Sequence, residues 1–129
     1  MKQIYLSGPM TGLPEHNFPA FYEAERLIRE AFPDAAVKNP ARNFDGLKGL
    51  SRDVYLREDL RCLSECAEIV MLDGWRESKG ARMEFLIACE LGIPRWQLQD
   101  GTLEALPATA VVVLGNAVVV CQPAREEGP

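Results

Sequence analysis

Two carboxylates stand on helix faces that are otherwise apolar. The stretch Ser78-Lys79-Gly80-Ala81-Arg82-Met83-Glu84 opens a predicted helix that runs on to Gly92. On a wheel of about 100° per residue, Ala81, Phe85, Ile87, Ala88, Cys89 and Leu91 share one broad apolar arc. Glu84 falls inside that arc, while Arg82 and Glu90 fall outside. The helix predicted after Ser51 repeats the pattern. Tyr55, Leu56, Leu60, Cys62, Leu63 and Cys66 make its apolar side, Asp53, Arg57, Glu58, Arg61, Ser64 and Glu65 its solvated side, and Asp59 lies among the apolar residues.

Burying a carboxylate is expensive unless something satisfies or uses the charge. An ionised carboxylate against apolar side chains suits a nucleophile toward an electrophilic carbon. A second acid beside it suits proton transfer or the binding of ligand hydroxyls. Together they follow the logic of retaining glycoside cleavage, in which one acid attacks an oxocarbenium-like sugar carbon. Tyr5, near the end of the first predicted strand, is placed to orient one of the pair. A structural origin stands beside this reading, because an inward acid also arises when it pairs with a buried Arg or accepts loop N–H groups. Glu84 is expected in the first turn or so of its helix, where the dipole and free N–H groups favour an anion.

The elements that position these residues follow from pattern and punctuation. Gln3–Ser7 reads as a strand stopped by Gly8-Pro9. Gly8 and Gly12 would let backbone amides approach a ligand, although a plain strand-to-helix turn is the commoner explanation. The loop is neither GxGxxG nor a P-loop, so it signals no dinucleotide or nucleoside triphosphate. A helix starts at Pro19 or Ala20 and ends near Phe32, before Pro33-Asp34. Ala35–Lys38 is a marginal strand cut off by Asn39-Pro40, and Ala41–Leu50 reads as a surface loop. Ser51 is the expected N-cap of the next helix. Glu68–Leu72 is the central strand, ended by Asp73-Gly74. Arg95–Gln99 and Thr102–Leu106 flank Asp100-Gly101, and Ala110–Leu114 and Ala117–Cys121 flank Gly115-Asn116, two hairpin signals. The last eight or so residues read as a frayed polar tail.

This alternation predicts an α/β domain: a small doubly wound parallel sheet of the Rossmann or flavodoxin-like three-layer kind, with C-terminal β-hairpin additions. Right-handed crossovers bring the loops after Ser7 and Leu72 to one edge, which defines the expected pocket.

Composition narrows the partners. A net charge of −5 over 129 residues disfavours duplex nucleic acid and anionic membranes, whose phosphates are held mostly by Lys and Arg. A small phosphorylated ligand needs only a few local donors. No apolar run is long enough to span a bilayer, and the start of the chain lacks the apolar core of a signal peptide, so a cytoplasmic protein is expected. Cys62, Cys66, Cys89 and Cys121 form no CxxC pair and the one histidine is His16, so no metal site is expected and the cysteines read as reduced thiols. His16 reads as a loop residue. Trp75 and Trp96 are either core residues or stacking surfaces for a base. Strand edges implied by the hairpins suggest a homo-oligomer.

Ile4-Tyr5-Leu6-Ser7-Gly8-Pro9, Arg57-Glu58-Asp59-Leu60 and Ser78 through Glu84 with Leu91-Gly92-Ile93-Pro94 resemble the nucleoside 2-deoxyribosyltransferase superfamily. Ser7-Gly8-Pro9-Met10-Thr11-Gly12 with Asn17-Phe18-Pro19-Ala20-Phe21 resembles a small phage- and prophage-associated branch of it, largely unassigned in activity. The resemblance implies an α/β domain of that kind over residues 1–106, with the valine-rich hairpin and tail, 107–129, as part of the same domain. It implies Glu84, after Gly80, as the nucleophile on C1′, Asp59 as the residue contacting the sugar or base, and Tyr5 as support for the nucleophile. It places Ser7, Gly8, Pro9, Met10, Asn17, Ser78 and Gly80 around the substrate, with no cofactor.

The transferases carry an acid where this chain has Ser78. Related deoxynucleoside monophosphate N-glycosidases carry a phosphate-binding Ser there, which tilts the substrate toward a 5′-phosphate. Pro9 stands where those hydrolases have a second phosphate Ser, so the tilt is partial. The Glu-Leu-Gly that is common after the nucleophile is replaced here by Glu84-Phe85-Leu86.

The expected function is therefore cleavage or transfer at the N-glycosidic bond of a nucleoside or nucleotide. Two other classes remain open: a non-catalytic sensor of a nucleotide or NAD derivative, and a phage accessory protein acting only through protein contacts.

Overall fold

The structure, a computed structural model, describes residues 2–43, 50–106, 110–114 and 117–121, with residue 43 and the last two segments described by backbone alone. Its sheet contains β1 (Gln3–Ser7), β2 (Ala36–Lys38), β3 (Glu68–Leu72), β4 (Arg95–Gln99) and β5 (Thr102–Ala105). The spatial order is β2-β1-β3-β4-β5. The first four strands run parallel and β5 returns antiparallel to β4. Among the described residues no helix is long and apolar enough to cross a membrane.

Strand alternation sorts the core into two layers. Ile4 and Leu6 of β1, with Val70 and Leu72 of β3, pack on Phe21, Ala24 and Ile28 of α1 (Phe18–Ala31). Tyr5, Ile69 and Met71 face the other way, against Cys62 and Leu63 of α3 (Arg52–Ser64) and Ala81, Phe85 and Ala88 of α4 (Lys79–Leu91). All five residues of β3 are buried, as a central strand covered on both faces requires. This is the doubly wound arrangement expected from the sequence. The carboxyl ends of β1 and β3 lie side by side, where the chain leaves toward opposite faces of the sheet.

Several boundaries differ from expectation for identifiable reasons. Helix α1 starts at Phe18, preceded by a single turn at Pro14–Asn17 in which Glu15, His16 and Asn17 all take positive φ. His16 is thus an exposed turn residue. The expected loop begins instead with α2 (Pro40–Asn43). Ala41 N donates to Asn39 Oδ1 at 3.0 Å, and Arg42 reaches the buried Glu25 of α1 at 2.8 Å. Residues 44–49 of that loop lie outside the described residues. Ser51 occupies the N-cap of α3 without capping it through its side chain, because its hydroxyl donates to Asp53 instead. At the β4–β5 hairpin Asp100 and Gly101 have φ of 51° and 76°, the left-handed pair that a two-residue turn of this hand needs.

The valine-rich segments β6 (Ala110–Leu114) and β7 (Ala117–Cys121) pair antiparallel as a separate two-stranded sheet beside α4. Their turn at Gly115-Asn116 and the polar tail lie outside the described residues.

Candidate functional site

Glu84 is 7% exposed and receives two hydroxyl hydrogen bonds from one strand. Tyr5 Oη donates to its Oε2, and Ser7 Oγ donates to its Oε1 at 2.8 Å. The sequence makes this possible because Tyr5 and Ser7 are two apart on β1 and therefore share a face. That face is the one α4 covers. Burial pushes the Glu84 carboxyl up to about 7, while the bonds from Tyr5 and Ser7 pull against that rise. Tyr5 is raised well above the ordinary phenol range, first by burial and then by the charges of Glu84 and Asp59. It is thus fixed as a neutral donor.

The support for Glu84 is not the one expected. Helix α4 begins at Lys79, so Glu84 is its sixth residue and lies beyond the first turn. The helix dipole acts chiefly within that turn, so the two hydroxyls supply the local polar environment.

Asp59 lies near this pair on α3. Its Oδ1 is buried and has no hydrogen-bond partner among the described residues. Burial first, then the charge of Glu84, then that of Glu58, push the Asp59 carboxyl up to about 8. The charge of Glu84 thus favours the protonated form of Asp59, and the unpartnered acid is the better place for a proton.

The remaining expected residues fall into two groups around this centre. In the loop after β1, Asn17 Nδ2 donates to the Pro9 carbonyl at 2.9 Å, which closes the loop on itself. A Cβ on Gly8 would stand 2.8 Å from Leu72 Cβ, so packing against β3 already explains that glycine. Pro9 packs over Gly74, and Met10 lies partly buried on the α1 side of the core. At the start of α4, Ser78 Oγ accepts from Ala81 N at 3.2 Å as the N-cap. A Cβ on Gly80 would meet nothing within 4 Å, so this glycine leaves open space beside the helix start.

Trp75 is a core residue, 3% exposed and stacked on Phe85 with ring centroids 4.7 Å apart. Cys62, Cys66 and Cys89 are buried and form no disulfide. Among the described residues no group of three or more His, Cys, Asp or Glu is arranged to hold a metal ion.

Sequence reasoning placed Ser7 near the ligand and missed its bond to Glu84, although the two-residue offset from Tyr5 carries that signal. It also passed over a polar cavity beyond β3 and β4, lined in part by Asp73, Gln97 and Gln99. The alternation of Gln97 and Gln99 along β4 is its trace in the sequence.

Residues 2–95 match the model of a protein family described as a domain of unknown function, DUF4406. No curated protein matches the chain. Among solved structures it is similar to the crystal structure of a conserved protein from Enterococcus faecalis V583, with 23% identity and a TM-score of 0.59. The similarity covers 75% of this chain and 62% of that one, and it is a likeness of fold.

Proposed function

We propose that this chain, which belongs to the DUF4406 family, cleaves or transfers at the N-glycosidic bond of a (deoxy)nucleoside or its 5′-monophosphate. One observation carries the reading: a buried Glu84 bonded by Tyr5 and Ser7, beside an Asp59 whose buried Oδ1 has no described partner. The resemblance of the same residues to nucleoside 2-deoxyribosyltransferases supports it.

In this mechanism ionised Glu84 attacks C1′ and the C1′–N bond breaks. Protonated Asp59 gives its proton to the leaving base. Water then attacks C1′ of the glycosyl ester, and Asp59 takes the proton back as Glu84 leaves. A second base in place of water completes transfer. Tyr5 and Ser7 hold the carboxylate at one angle and prevent it from turning toward solvent. Ser78 and the open space at Gly80 serve a 5′-phosphate at the helix start. The proposal includes self-association through the open edges of β2 and β5, which light scattering measures.

A second reading rests on the fact that both Glu84 oxygens already have partners within the chain. That also suits a non-catalytic nucleotide binder. Incubating the protein with a panel of nucleosides and monophosphates, and following free base by chromatography, separates the two. Base release by the wild type that is lost in Glu84→Gln supports catalysis. Tight binding without release, unchanged in that variant, supports the binder.

A further inference from the structure

We propose that Tyr55 of α3 is the surface on which the base of the substrate stacks, in a slot between α3 and α4 whose other wall is Gly80. The inference rests on the N-glycosidic reading above and says where the leaving group lies.

The two acids have matched neighbours. Tyr55 stands four residues before Asp59 on α3, and Gly80 stands four residues before Glu84 on α4. Residues four apart share a helix face, with Cβ atoms about 5–6 Å apart. Helix α4 follows the carboxyl end of β3, and α3 runs back along the sheet to reach the amino end of that strand. Both helices therefore begin at the carboxyl edge. They pack together over the face of the sheet that carries Tyr5. Tyr55 and Gly80 thus sit one turn outward of Asp59 and Glu84, at the mouth of one gap.

In a doubly wound sheet a ligand usually enters the crevice where neighbouring strands send the chain to opposite faces, here β1 and β3. That crevice is filled. A Cβ on Gly8 would stand 2.8 Å from Leu72 Cβ, and one on Gly74 would stand 3.2 Å from Pro9 Cγ. The two loops meet, and Asn17 holds the Pro9 carbonyl at 2.9 Å. Tyr5, Ser7 and Glu84 are buried, whereas Asp59 is only half-buried, so the approach to the acids lies on the α3 side.

The two walls of the gap differ in kind. A Cβ on Gly80 would meet nothing within 4 Å, so the α4 wall is bare backbone with space before it. On the α3 wall Tyr55 and Leu56 are half-buried, and among the described residues neither belongs to either core layer. An aromatic wall opposite a bare one fits a flat ring, and base–aromatic stacking accepts any base. The chemistry agrees. Asp59 protonates the leaving base, which puts the base beside α3, and the phosphate then lies toward Ser78 at the start of α4.

The test measures calorimetric binding of deoxyadenosine monophosphate and of 2-deoxyribose 5-phosphate, which lacks the base. Tyr55→Ala is expected to weaken the nucleotide about tenfold or more, the usual worth of one stacked base, and to leave the sugar phosphate within about twofold. Tyr55→Phe is expected to keep the nucleotide affinity, and thermal denaturation checks that both variants fold. In nitrogen-15 spectra of the wild type the nucleotide is expected to shift the Tyr55 and Gly80 amides most. Shifts centred on Gly8 and Gly74, equal losses for both probes, or a Tyr55→Phe as weak as Tyr55→Ala overturn the assignment. Tyr55-dependent binding without base release contradicts the reaction alone. Base release at an unchanged kcat/KM in Tyr55→Ala contradicts the slot alone, and a wild type that binds neither probe contradicts both.

Discussion

Ser7 Oγ lies 2.8 Å from Glu84 Oε1, a side chain 77 residues further along the chain, and gives it a hydrogen bond inside the protein. With the Tyr5 hydroxyl on the other oxygen, both donors come from one face of one strand. A hydrogen bond to a charged group contributes about 1.5–3 kcal/mol, roughly ten- to a hundredfold in an equilibrium. Tyr5→Phe and Ser7→Ala each remove an influence that lowers the Glu84 pKa. Each is expected to move the rising limb of the rate profile to higher pH and to reduce kcat/KM at neutral pH about tenfold or more. Purified variants assayed for base release across pH check this. An unmoved limb contradicts the role given to the two hydroxyls.

The pH profile of the wild type follows from the two acids. Attack needs Glu84 ionised, and its pKa is about 7. Proton delivery needs Asp59 protonated, and its pKa is about 8. The expected kcat/KM is a narrow bell with its maximum between these values, the apparent limbs belonging to the pair. Asp59→Asn is expected to remove the falling limb along with most of the rate.

Stability carries the same signature with a definite sign. Both acids titrate near pH 4 in the unfolded chain and near 7 and 8 in the fold. Between those values the folded state holds more protons than the unfolded state. The contribution of these groups is therefore full below about pH 4 and is lost as pH rises through about 8. The Tm of Asp59→Asn minus that of the wild type is expected to increase from pH 5 to about 8 and to level off above it. Glu23 and Glu25, whose pKa values are lowered by their arginine partners, act in the opposite direction and cancel in that difference. A constant offset across pH would show that Asp59 is not held protonated.

The two glycines of the site should respond in opposite ways. Gly8→Ala drives a Cβ to 2.8 Å from Leu72 Cβ and is expected to destabilise the fold by about 1–3 kcal/mol. Gly80→Ala meets no atom within 4 Å and is expected to stabilise it by about 0.5–1 kcal/mol, since alanine is the better helix residue. The same substitution should weaken nucleotide binding by filling the approach to the helix start. Thermal denaturation and calorimetry on both variants read the two effects. A stabilised Gly80→Ala that binds as well as the wild type would leave that space without a ligand role.

What the sequence made legible was periodicity. The apolar arc around Glu84 and the alternation of β1 are local patterns, and both survived folding except at Leu91, which the arc included and which is 50% exposed at the end of α4. The loop residues were harder because their reasons are distant in sequence. Gly8 answers to Leu72, and Asn17 answers to Pro9. The hydroxyl of Ser51 turned to Asp53 rather than to the helix end, a competition between two nearby partners that composition does not decide. With α4 running from Lys79, Glu84 is its sixth residue and lies past the first turn, so its support comes from Tyr5 and Ser7 and not from the dipole. The bond from Trp75 to Gln97 was invisible because it joins the turn after β3 to a strand 22 residues further along the chain.

The most direct measurement is the mass of the peptide containing Glu84, isolated after rapid acid quenching of the protein with a deoxynucleoside monophosphate substrate. A sugar phosphate in ester linkage to Glu84, present in the wild type and absent with base release in Glu84→Gln, is the predicted result. Base release at the wild-type rate by Glu84→Gln, with no adduct in either protein, would contradict the account.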